Sequence, residues 1–504
     1  VRFVYLDIDT LRADHLGCYG YHRDTSPNID ALAAGGWRFD EMYVSDSPCL
    51  PSRSALITGR FGVTNGVVNH GGERAEPFPE GASRRRQSEL AGTSWPALLR
   101  EAGMWCTTIS TFAERHSAFH WYAGFNEAYN LGTSGSERAD EVSAVAIDWL
   151  RRRGQRDDWF LHVHFWDPHT PYRTPLEWGD PFSDDGVPAW IDDDVLARHW
   201  QLAGPHSAQE VTGFAPDLRF EEFPRQPQQI ASNADVRQMF DGYDAGIRYA
   251  DEHVGRILAE LAALGIEDET AIVVSSDHGE TLGELGIYCD HQTADLYTHR
   301  VPAVVRWPGL EAGRTDQALR YQVDLAATVV ELLGGTVPPS WDGRSFAAGL
   351  RDVAGADEVT RDHLVLSCGA WATQRAVRFD EWLCIRTYHD AFHGFPPVML
   401  FDVERDPHEQ VNVADDHPDV VGRAARLLLD WEAASMERSP SGVDPLWTVI
   451  REGGGYYTRG RLDDYLRRLR ETGRDEWAER IGSTLTASMA EPDNANAFAL
   501  RAAQ

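Results

Sequence analysis

The chain has no lysine. All 47 of its basic residues are arginine, so any cation its chemistry calls for must come from a guanidinium or a histidine. That usage points to a GC-rich coding genome or a salt-adapted one. Positive charge is also short overall. Against those 47 stand 79 acidic residues, leaving a net charge of −32 and a pI near 4.9. A surface of that sign excludes nucleic acid and long polyanions as general partners, and an anionic substrate would need a local positive pocket. Cysteine is scarce and scattered. Cys18, Cys49, Cys106, Cys289, Cys368 and Cys384 form no CxxC pair and no disulfide-framework spacing, which fits a reducing cytoplasm. No run approaches the ~18 apolar residues of a membrane span, so no membrane partner is expected. No secretory leader opens at Val1, although a leader already removed is compatible with a first residue that is not Met.

What is present is globular. A chain of 504 residues, 42% hydrophobic and 25% charged, is long enough for one large domain and a smaller one. The stretch Ser47-Pro48-Cys49-Leu50-Pro51-Ser52-Arg53-Ser54-Ala55-Leu56-Ile57-Thr58-Gly59-Arg60 predicts a turn followed by a short helix ending at Gly59. Pro51 suits a first turn, where a missing N–H costs nothing. Cys49 then sits near the positive end of a helix, where N–H groups favour an anion. Arg53, one turn on, can point back to the same place. The bland alternative is an ordinary cysteine beside a structural arginine.

The opening Val1–Asp9 is an apolar run ending in acids, a buried strand whose alternation puts Asp7 and Asp9 on one face. Carboxylates at the C-terminal end of a central strand lie where open α/β sheets bind ligands. Ala271–Val274 is a second such strand and leads into Ser275-Ser276-Asp277-His278-Gly279-Glu280. A carboxylate and an imidazole at a strand end can converge on one ion. Oxygen-rich ligation favours Ca²⁺, with Mg²⁺ or Mn²⁺ as alternatives and the histidine keeping Mn²⁺ in play. A third strand, Asp157–Phe165, ends in Asp167-Pro168-His169-Thr170-Pro171. Two prolines there fix the direction of His169. His162 and His164 inside that strand read as structural.

Cys-x-Pro-Ser-Arg followed by Thr-Gly-Arg, with the motifs at Asp9, His169 and Asp277-His278 in order along the chain, resembles the type I (formylglycine-dependent) sulfatases of the alkaline phosphatase superfamily. The resemblance implies an α/β fold, a large mixed β-sheet flanked by helices on both faces with a smaller C-terminal antiparallel-sheet subdomain. It implies that Cys49 is oxidised to formylglycine (3-oxoalanine) by a formylglycine-generating enzyme, and that its hydrate is the nucleophile. It implies a divalent metal held by Asp9, Asp277, His278 and residue 49. Thr10 stands where many members have a second aspartate, leaving Asp7 to compensate or the site with fewer ligands. Arg53 would stabilise the nucleophile's alkoxide, His169 or His291 would protonate the leaving alcohol, and His116 would take the second diol proton. The family's lysine contacts to sulfate are missing; Arg115 and His291 are the candidate substitutes. Asn69 and His70, just after the Cys49 helix, are candidate substrate contacts, or simply build a turn.

The domain reading is 1–358 for the catalytic domain, 359–440 for the C-terminal subdomain and 441–504 for a charged helical tail that packs on a second subunit or on the body. Residues 174–230 form a lid-like insert whose Trp178, Trp190 and Trp200 either stack on a ring substrate or pack on the body. The activity implied is hydrolysis of a sulfate ester of a sugar or an aryl alcohol. Its nearest rival is a phosphonate monoester or phosphodiester hydrolase of the same superfamily. A non-catalytic binder of sulfated ligands, with Cys49 unmodified, is opposed by the completeness of the motif set.

Overall fold

The first strand, Arg2–Ile8, is buried along its whole length, as a strand covered on both faces must be. In the computed structural model, which describes residues 1–79, 89–214, 222–352 and 359–489, it is an interior strand of an eight-stranded sheet. Its neighbours Trp159–Phe165 and Thr270–Ser275 both run parallel to it. Beyond Trp159–Phe165 lie Trp105–Ile109 and Glu127–Tyr129; beyond Thr270–Ser275 lie Ala303–Arg306, Trp37–Phe39 and Arg314–Asp316. Ala303–Arg306 is antiparallel to both of its neighbours, which makes the sheet mixed.

Alternation along Arg2–Ile8 sorts its side chains between two cores. Val4, Leu6 and Ile8 join the core that includes the helices Asn233–Ala263 and Ala139–Arg153. Phe3 and Tyr5 join the other, with Leu56 of the helix Cys49–Thr58 and Leu325 of the helix Gln322–Leu332. Asp7 and Asp9 continue the Phe3–Tyr5 face. The two carboxylates therefore emerge beneath the Cys49 helix. Val236, Phe240, Tyr243, Ile247, Val254, Ile257 and Leu261 lie on the buried side of the 31-residue helix Asn233–Ala263, whose start is capped by Ser232 accepting from the Asp235 N–H.

The second sheet has five strands. Val398–Asp402, Trp382–His389, Thr373–Phe379 and His363–Cys368 are antiparallel. The edge strand is Asp46–Ser47, parallel to His363–Cys368 and immediately before the Cys49 turn. Before the Cys49 turn the chain forms two short strands, Met42–Tyr43 and Asp46–Ser47, because it changes partners, from Arg320–Tyr321 to the second sheet. The C-terminal sheet thus carries the segment that delivers Cys49. The expected domain boundary at 358 lies outside the described residues.

The three expected insert tryptophans pack on the body. Trp178 donates to Glu252, Trp190 stacks on His408 and Trp200 joins the main core. The tail helices Leu462–Glu471 and Asp475–Met489 fold back on the insert: Tyr465, Leu469, Ala478 and Ile481 pack with Ala203 and Phe392. Arg474 pairs with buried Glu210 at 2.9 Å.

The Cys49 helix ends on Gly59 at φ 65°, and a Cβ there would overlap the Trp341 ring. Gly59→Ala is expected to cost about 2–4 kcal/mol from left-handed strain and overpacking. Gly349, with open space around it, is the control: Gly349→Ala should change stability by no more than about 1 kcal/mol. Urea unfolding of the two variants checks both values.

Candidate active site

One guanidinium organises the site. Arg53 projects from the Cys49 helix into the sheet and is fully buried. Its NH1 donates to Asp7, its NH2 lies 3.0 Å from Asp9 Oδ2 and its Nε 3.0 Å from Asp277 Oδ2. The guanidinium also faces the Phe112 ring at 5.2 Å. Three buried carboxylates share one cation. Burial works to raise the Asp7 pKa, but Arg53 and His162 hold it well below the usual range. Asp277 goes the other way: burial, with Asp9 adding to it against Arg53, pushes it up to about 6. Asp9 Oδ1, Asp7 Oδ1 and Asp277 Oδ2 are buried without a hydrogen-bond donor.

That excess of negative charge is what a cation site requires. The ligand atoms of Asp9, Cys49, Asp277 and His278 all lie within 4.8 Å of one another, and all four residues are buried. The His278 Nδ1 donates to the Gly279 carbonyl at 2.9 Å. Its Nε2 lone pair therefore faces the Cys49 Sγ, 3.1 Å away. The donor set of two carboxylates, an imidazole and residue 49 fits a divalent ion. Asp7 stands outside this group, bonded to Arg53 and, at 3.1 Å, to His162.

A second group converges on the same sulfur: Cys49, His169 and His291 also have ligand atoms within 4.8 Å of one another. His169 spends its Nδ1 hydrogen on the Thr170 carbonyl, which leaves Nε2 free to exchange a proton. The His291 ring lies 4.2 Å from His278 and 5.3 Å from His169, and its Nδ1 is buried without a partner. Burial lowers the pKa of both; Arg115 and Arg173 add to it at His169, and at His291 it prevails over Asp290, so both are neutral in the free protein. The Cys49 thiol is pushed well up by burial and by Asp9 and Asp277.

The remaining candidates are spread around this centre. His116 packs edge-on to His70 at 4.8 Å, with its Nε2 buried and unpartnered. Arg115 lies over the Trp166 ring at 4.9 Å, donates to the Ser134 carbonyl, and makes no ion pair among the described residues. His70 Nε2 accepts from the Leu50 N–H at 3.2 Å. Asn69 is fully buried, and its Oδ1 accepts from the His70 and Tyr456 N–H groups; that is the turn-building alternative.

Two readings fell short of the geometry. His162 and His164 are structural in the sense expected, yet they bear directly on the charged centre. The Arg53 NH2 donates to His164 Nε2 at 2.7 Å, so the His164 Nδ1 carries the hydrogen and donates to Ser110 Oγ at 2.9 Å. The signal was available: two histidines two apart on a strand register with Tyr5 and Asp7 on the next strand. Tyr457, from the tail, was missed altogether; its hydroxyl is 2.8 Å from His70 Nδ1.

Arg53→Lys would leave one nitrogen for three carboxylates. It is expected to cost about 3–5 kcal/mol in urea unfolding at neutral pH. Adding Asp7→Asn to that variant should recover part of the loss, because one fewer buried charge is left unpaired.

Comparison with known proteins shows the family and the fold. The family model described as Sulfatase matches residues 2–335. A choline-sulfatase of Rhizobium meliloti (strain 1021) is 25% identical over 424 residues, covering 78% of each chain. A structure solved in complex with its substrate D-glucosamine-2-N,6-O-disulfate superposes with a TM-score of 0.69 at 20% identity, covering 87% of this chain and 99% of that one. A phosphonate monoester hydrolase from Silicibacter pomeroyi gives a TM-score of 0.63 at 20% identity, covering 89% and 97%. At such identities the structural likeness is one of fold. With its alkaline-phosphatase-like α/β fold and a family match from the first strand through the helix Gln322–Leu332, the chain belongs to the sulfatase family of sulfuric ester hydrolases.

Proposed function

We propose that the chain hydrolyses the sulfate ester of a sugar or an aryl alcohol, with a formylglycine made from Cys49 as nucleophile and a divalent ion, Ca²⁺ first, at Asp9, Asp277, His278 and residue 49. One observation carries this reading: those four residues bring their ligand atoms within 4.8 Å of one another at the strand ends, around a centre with more carboxylates than cations. The proposal includes maturation by a formylglycine-generating enzyme. Once the two groups are in place, the ion supplies positive charge for a sulfate oxygen and the oxidised residue 49 supplies, as its hydrate, the attacking oxygen.

The chain's own residues set the rest. A sulfate ester is stable, so its oxygens must be neutralised and its leaving oxygen protonated. Arg53 holds Asp9 and Asp277 in place and faces residue 49. Arg115, unpaired at the rim, meets the sulfate. His169 or His291 gives the proton to the leaving alcohol; burial keeps both neutral in the free protein, and an ester anion beside them favours the charged form they must adopt. His116 would accept a proton in the return step, a role its unpartnered Nε2 supports. Asp7 anchors Arg53, and Asn69 builds the turn that carries His70.

The second reading, a phosphonate monoester or phosphodiester hydrolase, is favoured by the first metal segment, where Thr10 follows Asp9 and its buried hydroxyl has no partner. Peptide mass spectrometry across Cys49, on protein co-expressed with a formylglycine-generating enzyme, is expected to show formylglycine. Cys49→Ala should lower kcat/KM at least about 10³-fold. A sulfate ester and a phosphodiester with the same 4-nitrophenol leaving group decide the class. Faster hydrolysis of the sulfate supports the first reading, and faster hydrolysis of the diester replaces it with the second. Unmodified cysteine despite a working maturase would remove the nucleophile and with it the mechanism.

A further inference from the structure

The family match ends at residue 335, but the wall of the site does not. Tyr457 lies in a short turn of the tail, Tyr456–Thr458, just after the helix Pro445–Arg451. That turn is clamped from two sides. The Tyr456 N–H donates to Asn69 Oδ1 at 3.2 Å, and the Tyr457 N–H donates to the Ala370 carbonyl at 3.2 Å. A Cβ on Gly71 would overlap the Tyr456 ring, and one on Gly455 would overlap the Ala370 and Trp371 carbonyls. The Tyr457 ring stacks on Trp371, with centroids 4.7 Å apart and planes at 26°. Its position and plane are therefore set by packing.

The hydrogen bonds around His70 set the direction of the Tyr457 proton. A backbone N–H can only donate, so His70 Nε2, 3.2 Å from the Leu50 nitrogen, is an acceptor and carries no hydrogen. A neutral imidazole then has its hydrogen on Nδ1. Burial, with His278 and Arg115 nearby, pulls the His70 pKa down to about 3, so the ring is neutral. Its Nδ1–H must donate to the Tyr457 hydroxyl oxygen, 2.8 Å away. That leaves the tyrosine's own hydrogen unspent, and among the described residues no acceptor for it lies within hydrogen-bond distance. The hydroxyl lies one hydrogen bond from His70, whose Nε2 meets the N–H of Leu50, the residue next to Cys49. The ring is half-buried.

We propose that Tyr457 donates a hydrogen bond to an oxygen of the bound ester, with His70 as the positioning residue that turns the hydroxyl hydrogen toward it. This rests on the sulfate-ester reading of the site. It assigns the tail a direct part in substrate recognition and asks for a substrate that presents an acceptor oxygen on the side of the tail.

The test separates the two readings. Binding of 4-nitrophenyl sulfate to the Ca²⁺-loaded Cys49→Ala protein is measured by calorimetry, without turnover. Tyr457→Phe in that background keeps the ring and its stacking on Trp371 and removes the hydroxyl, which is both the proposed donor to the ester and the acceptor for His70 Nδ1–H. It is expected to weaken binding about 10- to 100-fold, the range for losing a hydrogen bond to a charged group, with Tm lowered only as far as one lost internal hydrogen bond implies. In the active protein the same substitution should lower kcat/KM by a similar factor. His70→Gln, which keeps Tyr457 but loses the enforced donor order, should weaken binding by a smaller factor. Equal binding by the Phe variant, with loss only in Tyr457→Leu, would mean that the ring merely packs and would overturn the proposal. Failure of the Cys49→Ala parent to bind the ester at all would overturn the sulfate reading, and this inference with it.

Discussion

The site depends on Arg53 being taken into the sheet. Its guanidinium meets Asp7, Asp9 and Asp277 at once, and nothing else among the described residues neutralises those carboxylates. Strand alternation places Asp7 and Asp9 on the face that the Cys49 helix covers, so the helix that presents residue 49 also presents the cation that gathers the ligands. Burying this group is costly unless it is paired and bonded throughout. The supporting contacts follow from that demand: His162 on Asp7, His164 accepting from Arg53, and Phe112 over the guanidinium. One charge still cannot balance three. The raised pKa of Asp277 is the local sign of that imbalance, and a divalent ion is its natural resolution.

A second regularity concerns protons. Three histidines around Cys49 each tie one ring nitrogen to the main chain. His278 donates to Gly279, His169 to Thr170, and His70 accepts from Leu50. Because the backbone does not titrate, each tie fixes a tautomer and leaves the other nitrogen with a defined role. His278 and His169 present lone pairs toward residue 49, while His70 passes a hydrogen to the tail. Proton directions at the site are thus set by loop geometry before any substrate arrives.

The features that read well from the sequence were local ones. An apolar run ending in Asp7 and Asp9, a helix opened by Cys49 and closed by Gly59, and a strand ending in Asp277-His278 each announce themselves within about ten residues. The layered α/β fold was expected from the family resemblance that these motifs carry. What did not read well was long-range. Nothing local separates Asp7 from Asp9; only the pairing of Asp7 with His162 does. Asp46–Ser47 joins a sheet whose other strands begin more than 300 residues later. Packing on the body was an open reading for Trp178, Trp190 and Trp200 beside ring stacking, and only the folded body supplies the partners they pack on. Tyr457 carries no motif, and its role appears only when the tail folds back onto Asn69 and His70.

The central claim is that this carboxylate-rich centre is completed by a divalent ion. The most direct measurement is thermal unfolding of the metal-stripped protein with and without Ca²⁺, Mg²⁺ or Mn²⁺, from pH 5 to pH 8. The pKa of Asp277 is raised to about 6 by burial, above the ~3.9 of an exposed aspartate. Its contribution to the stability of the stripped protein is therefore present at low pH and lost as the pH rises through about 6. The account expects an ion to stabilise the protein at pH 8, by about 2.7 kcal/mol at a hundredfold excess over Kd. That gain should shrink as protons compete below about pH 6, and it should vanish in Asp277→Asn. A stripped protein whose Tm at pH 8 ignores all three ions would contradict it.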